Sequence, residues 1–129
     1  AFTADVDEKR EFDEALARMR QADFAGGAAA LNTFLKKYPA TGYKESALYW
    51  LGNAHYGLRD YKESISRFRA LLAMAPQHMR APEALLSIAN CHSELKETKA
   101  ARKTLEDLVK VYPQSEAAAA AKERLARMK

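Results

Sequence analysis

Apolar side chains in this chain return at steps of three and four, and then again at steps of 37. Leu31, Phe34 and Leu35 are matched 37 residues later by Phe68, Leu71 and Leu72, and after the same interval by Leu105, Leu108 and Val109. Within each set the spacing is i, i+3, i+4, the signature of one buried helix face. Pro39, Pro76 and Pro113 keep the interval. So do Phe24, Tyr61 and Thr98, then the small residues Gly27, Ser64 and Ala101. Ala15, Gly52, Ala89 and Ala126 form another small set, with Leu51, Ile88 and Leu125 just before three of them. Small residues there let helices approach closely. Tyr38 and Tyr112 precede two of the prolines, whereas Ala75 stands in the middle copy. A fixed period between 20 and 50 residues signals a repeat architecture in which each unit buries its apolar face against the next.

The pattern predicts paired helices. The first pair covers about Asp7 to Gln21 and Phe24 to Lys37, the second about Tyr43 to Leu58 and Tyr61 to Met74, and the third about Arg80 to Leu95 and Thr98 to Val111. The repeats therefore span about 7–39, 43–76 and 80–113 of a single domain covering 1–129. A seventh helix over about 115–128 follows Tyr112-Pro113-Gln114-Ser115, where the proline prevents continuation and Ser115 is a suitable N-cap. Its charged residues Lys122, Glu123, Arg124 and Arg127 fit a cap that covers an otherwise unpaired apolar face. The expected fold class is all-α: a right-handed superhelical solenoid of three helix pairs plus a C-terminal capping helix. Gly26-Gly27 in the first turn of the second helix predicts either fraying or relief of crowding against the preceding helix.

Composition agrees. Apolar residues make up 48% of 129 residues, with only five Gly and four Pro, and the abundant Ala, Leu, Lys, Glu and Arg favour helix. A chain of this length buries enough surface to fold without staples, and one cysteine, Cys91, excludes an intrachain disulfide. Twenty-one basic against seventeen acidic residues give a formal charge of +4. The signs are interspersed, and short runs such as Lys36-Lys37 and Arg102-Lys103 fit solvated helix faces, so nucleic acid is not an expected partner. No apolar run reaches the length of a membrane span. The start, Ala1-Phe2-Thr3-Ala4-Asp5, has neither an initiator Met nor the features of a signal peptide, and reads as that of a mature or excised fragment.

Little in the sequence points to catalysis. His55 and His92 are 37 apart, and neither has a His or Cys at metal spacing; the side chains of Cys91 and His92 diverge by about 100° on one helix. Interhelical packing is the expected role of both histidines. No serine sits in a glycine elbow and no glycine-rich loop could cradle phosphate. Glu63, Glu94, Glu97, Glu106 and Asp107 are expected to face water and pair with Lys or Arg. Neither an enzyme, a metal site nor a cofactor is predicted.

The stretch Leu48-Tyr49-Trp50-Leu51-Gly52-Asn53-Ala54-His55-Tyr56, followed by Asp60-Tyr61, Phe68 and Pro76, resembles the tetratricopeptide repeat consensus. Ser64 and Gly27 stand where the family usually has alanine, and His55 and His92 where it usually has tyrosine; Glu11 and Glu14 replace apolar residues in the first copy. In this family the first helix of each pair lines a concave groove that holds partner proteins. The resemblance places Phe12, Leu16 and Met19 there from the first repeat, Tyr49, Asn53 and Tyr56 from the second, and Leu86, Asn90 and Ser93 from the third. The amides Asn53 and Asn90 would either bond a partner's backbone or bond neighbouring helices. Tyr49 and Tyr56, seven apart, would share a face as contact anchors. Trp50 is expected to point elsewhere, packing between helices or on the convex side. Tyr49 and Leu86 stand where carboxylate-clamp repeats place lysine, which argues against capture of a C-terminal carboxylate.

More narrowly, Tyr38-Pro39-Ala40-Thr41, Tyr49-Trp50-Leu51-Gly52-Asn53 and Tyr112-Pro113-Gln114-Ser115 resemble the C-terminal tetratricopeptide domain of the CpoB/YbgF family, the periplasmic cell division coordinators of the Tol-Pal system. The resemblance implies a non-enzymatic periplasmic adaptor that binds TolA and helps couple peptidoglycan synthesis, with a peptidoglycan synthase as a further partner, to outer-membrane constriction. It also implies a full-length protein made trimeric by an N-terminal coiled coil that this chain lacks. The same period and bend occur in lipoproteins of outer-membrane barrel assembly, so a scaffold of that type, or an oligomerisation module, is the alternative.

Overall fold

The computed structural model describes residues 6–128. Among these residues seven helices follow one another: α1 (Val6–Arg20), α2 (Phe24–Lys37), α3 (Lys44–Gly57), α4 (Tyr61–Met74), α5 (Ala81–Glu94), α6 (Thr98–Val111) and α7 (Glu116–Arg127). No strand occurs among the described residues, so the all-α class is the observed one. The helices α2, α4 and α6 occupy their predicted ranges. In α3 and α5 the predicted outermost residues, Tyr43 and Leu58, Arg80 and Leu95, are the caps.

The turn inside each helix pair is the same device three times. Ala22, Arg59 and Lys96, each 37 from the next, adopt the left-handed conformation with φ of 60°, 61° and 62°. This reverses the chain and satisfies the last carbonyls of the helix. The following amides reach back five residues, Asp23 N to Arg18 O at 2.9 Å, Asp60 N to His55 O at 2.8 Å and Glu97 N to His92 O at 2.8 Å. The same residues meet again through their side chains. Arg18 is 3.3 Å from Asp23, His55 Nδ1 is 3.6 Å from Asp60, and His92 Nδ1 is 2.7 Å from Glu97. Of the two repeat-equivalent histidines, only His92 therefore braces its turn. His92 is hydrogen bonded, whereas His55 lies at ion-pair distance only, beyond hydrogen-bond reach. Of the carboxylates expected to pair with Lys or Arg, Glu63 meets Arg67 and Asp107 meets Lys103, but Glu97 takes the histidine.

The bends between pairs also recur. Tyr38, Ala75 and Tyr112 each donate a backbone N–H to the carbonyl four residues earlier, at 2.9, 2.8 and 2.9 Å, so alanine serves the bend as well as tyrosine does. The tyrosine hydroxyls add individual ties: Tyr38 donates to Glu11 at 2.5 Å and Tyr112 to the Pro76 carbonyl at 2.6 Å.

The chain divides within α4 into two compact units, Ala1–Arg67 and Phe68–Lys129. In the first, α1 and α2 form a hairpin and α3 lies mainly against α2. Phe12, Leu31, Phe34, Leu51 and the small residues Ala15, Ala28, Ala47 and Ala54 make its buried centre. Gly27 is buried, and a Cβ built there would lie 2.6 Å from Met19 Sδ, so close approach to α1 explains that glycine. At Gly26 a Cβ would strike the Asp23 carboxylate at 2.1 Å, which caps α2 by accepting from Gly26 N–H. Both glycines thus make room.

Of the two acidic residues of α1 that depart from the repeat pattern, exposed Glu14 lies 3.8 Å from Arg10, whereas Glu11, with its neighbour Glu8, reaches the next helix. Glu11 accepts from Tyr38 and from Lys37 at 3.0 Å, and buried Glu8 accepts from the Thr41 hydroxyl at 2.5 Å. Both tie α1 to the end of α2 and the bend that follows. Ser64 on α4, in the small-residue set, is buried and donates to the Gly52 carbonyl of α3 at 2.7 Å.

In the second unit α5 and α6 form the hairpin, and α7 packs on both, chiefly on α6. Ala89, Leu105 and Leu108 meet Ala117, Ala118 and Ala121. Ser115 caps α7 as predicted, accepting from Ala118 N–H at 3.0 Å. Ala126, in register with buried Ala15, Gly52 and Ala89, is exposed.

Candidate functional site

A cleft of about 200 Å³ opens in the first unit, lined by Leu16, Met19 and Arg20 from α1, Phe24 from α2, and Trp50 and Asn53 from α3. Helical geometry assembles it: Leu16, Met19 and Arg20 are i, i+3, i+4, and Trp50 and Asn53 are i, i+3, so each group shares one face. The walls are apolar and half-buried. Phe24 keeps its place because residue 57 is glycine, where a Cβ would come within 2.5 Å of the ring. Arg20 is exposed at the rim and Asn53 is half-buried. Among the described residues neither Arg20 nor Asn53 has an ion-pair or hydrogen-bond partner.

Three of the nine groove residues expected from the sequence, Leu16, Met19 and Asn53, come together here. Phe12 does not. It is a core side chain, 5% exposed, stacked on Tyr43 with ring centroids 4.5 Å apart and tilted against Phe34. Tyr49 is likewise buried, meeting Trp50 edge-on at 5.2 Å. Tyr56 is half-buried, with its ring edge-on to Tyr61 at 5.4 Å. In the second unit Leu86 lines a separate cleft of about 410 Å³ with Met79, Pro82 and Glu116. Ser93 is exposed at the end of α5. Asn90 is taken by the molecule itself, its carbonyl oxygen accepting from the Arg124 guanidinium of α7. The two amides alike in register thus have different fates, Asn90 bonding a neighbouring helix and Asn53 facing a cleft.

Trp50 packs against the core of the first unit, as expected of it, but also forms a wall of the cleft, which was not expected. Arg20 and Phe24 were not expected in the site either. The signal for Trp50 was present in its i, i+3 relation to Asn53. No local pattern marks Phe24, whose ring enters from the next helix, or Arg20, which reads as an ordinary cation at a helix C-terminus.

The electrostatic perturbations of Glu11 and Tyr112 lie away from the cleft. Hydrogen bonds from the Tyr38 hydroxyl and then from Lys37 hold the Glu11 carboxyl below its ordinary value of 4.5. Burial raises Tyr112 above 10.0. No three of His, Cys, Asp and Glu come together among the described residues as a metal would require. No helix there is long and apolar enough to cross a membrane.

Comparison with known proteins gives this geometry its family. A curated relative, the cell division coordinator CpoB of Pseudomonas putida, is 40% identical over 53 residues, which are 41% of this chain and 20% of that protein. Among solved structures, the Arabidopsis OM64 TPR domain aligns with a TM-score of 0.75 at 13% identity, covering 95% of this chain and 96% of that one. PcrH in complex with the chaperone binding region of PopB aligns at 0.75 and 12% identity, covering 98% of each. The second TPR domain of human RPAP3, solved with an HSP70 peptide, aligns at 0.71 and 12% identity, over 92% and 91%. At such identities these structures speak for the fold alone. Family models described as tetratricopeptide repeat match residues 12–79 and 55–125, each more than half of the sequence, and on that ground the chain belongs to the tetratricopeptide repeat proteins.

Proposed function

We propose that this chain is a non-enzymatic adaptor of the bacterial cell envelope. It works in the periplasm, holds a segment of a TolA-like protein, and helps coordinate peptidoglycan synthesis, with a synthase as a further partner, with outer-membrane constriction during division. The observation that carries the adaptor reading is the cleft of the first unit, where Asn53 presents an amide that no described residue satisfies beside apolar walls. Half-buried apolar walls with a few convergent polar groups are the usual composition of a binding site, and repeat proteins of this kind bind along such surfaces. The envelope setting rests on the likeness to the cell division coordinator, of which the chain spans a fifth.

Calorimetric titration of the chain with fragments of TolA tests the reading. Saturable binding is expected, weakened in an Asn53→Ala variant. Absence of binding to any fragment would remove TolA as the partner, and unchanged affinity of the variant would remove Asn53 from the site.

A further inference from the structure

The repeat register provides an internal control for the cleft. Moved on by two periods, Leu16, Met19, Arg20 and Phe24 fall on Asn90, Ser93, Glu94 and Thr98, and Trp50 and Asn53 fall on Arg124 and Arg127. Every apolar wall becomes polar there, and Arg124 bonds Asn90. The same fold positions therefore build an internal polar contact in the second unit, so packing the repeat does not require the apolar lining of the first. Gly57 points the same way. Its counterparts Arg20 and Glu94 carry long side chains, and only the missing Cβ at 57 admits the Phe24 ring.

We propose that the cleft takes one bulky apolar side chain of a partner polypeptide that carries an Asp or Glu within two residues of it, the carboxylate pairing with Arg20. This rests on the adaptor reading and names the chemistry of the bound segment. Size selects the apolar group. At about 200 Å³ the cleft has room for one bulky apolar side chain such as Leu, Met or Phe. The flexible Met19 lets the wall adapt among them. Charge selects the neighbour. Arg20 has no ion-pair partner among the described residues, a guanidinium binds carboxylate through paired hydrogen bonds, and a basic segment would be repelled. Asn53, able to donate and accept at once, suits the backbone between the two groups.

Trp50 is the only tryptophan in the chain, so its emission reports on this cleft and on nothing else. A phage library of random dodecapeptides lacking Trp is panned on the 129-residue chain, and the enriched peptides are synthesised and titrated by calorimetry and by Trp50 fluorescence. The expected peptides contain Leu, Met or Phe with Asp or Glu within two positions, and shift Trp50 emission to the blue with the calorimetric midpoint. Arg20→Glu, at an exposed position that the fold tolerates, weakens them about ten-fold. Replacing the peptide's acid by Lys restores affinity for that variant. Failure to enrich such peptides, calorimetric binding with Trp50 emission unchanged, or equal affinity of Arg20→Glu overturns the proposal. So does a concentration-dependent Trp50 shift without peptide that coincides with dimerisation in sedimentation, which assigns the cleft to a second copy. TolA fragments that bind while Trp50 stays silent leave the adaptor reading standing and sink this one.

Discussion

At single positions the molecule is governed by a few backbone and hydrogen-bond requirements. Ala22 holds a left-handed conformation that costs an L-residue roughly 1–2 kcal/mol, part of which glycine recovers while losing some chain entropy. Ala22→Gly is therefore expected to raise stability by about 0.5–1 kcal/mol, seen as a higher urea midpoint at unchanged slope. One residue further on, Asp23 caps α2, and Asp23→Ala is expected to lower stability by about 1 kcal/mol in the same assay. The left-handed turn was hidden in the sequence because Ala, Arg and Lys occupy places where glycine would have announced it. Ser64→Ala, which removes the hydroxyl's bond to the Gly52 carbonyl and with it a tie between α4 and α3, is expected to cost about 1 kcal/mol, with the Gly52 region losing amide protection.

Between elements, the ties that hold α1 to α2 and its following bend are ionic as well as apolar. Glu11 has its pKa lowered by Tyr38 and Lys37. A lowered folded-state value means that the contribution is present above the ordinary 4.5 and is lost as pH falls through the folded value. Acid should therefore loosen the α1–α2 hairpin, and Glu11→Gln should flatten the acid limb of a stability profile measured by thermal melts between pH 7 and 3. A limb as steep in the variant as in the parent would dissociate Glu11 from it. The helices themselves were legible from periodicity, since i, i+3, i+4 sets at a constant interval dictate both length and buried face. Glu11 was legible only as a departure from the repeat, because its partners lie 26 and 27 residues away.

For the whole molecule, the two compact units differ in what completes them. The second relies on α7, whose Ala117, Ala118 and Ala121 cover Ala89, Leu105 and Leu108. A chain ended at Ser115 would expose those side chains to water. It is expected to bind a hydrophobic dye and to lose amide protection in α5 and α6, while α1–α3 keep theirs. Equal protection of α5 and α6 with and without α7 would show that the cap is dispensable.

From the sequence alone came the seven helices, their limits to within a residue or two, the paired organisation and the family, because all of these follow from local periodicity and short-range stereochemistry. Tertiary structure decided which residues of one helix face meet a core, a neighbour or open space. Phe12 and Leu16 share a face of α1, yet Tyr43 and Phe34 bury the first and leave the second in a cleft. Asn53 and Asn90 share a register, yet an arginine 34 residues onward closes only Asn90. Such outcomes depend on side chains delivered by distant segments, and no pattern within a single repeat encodes them.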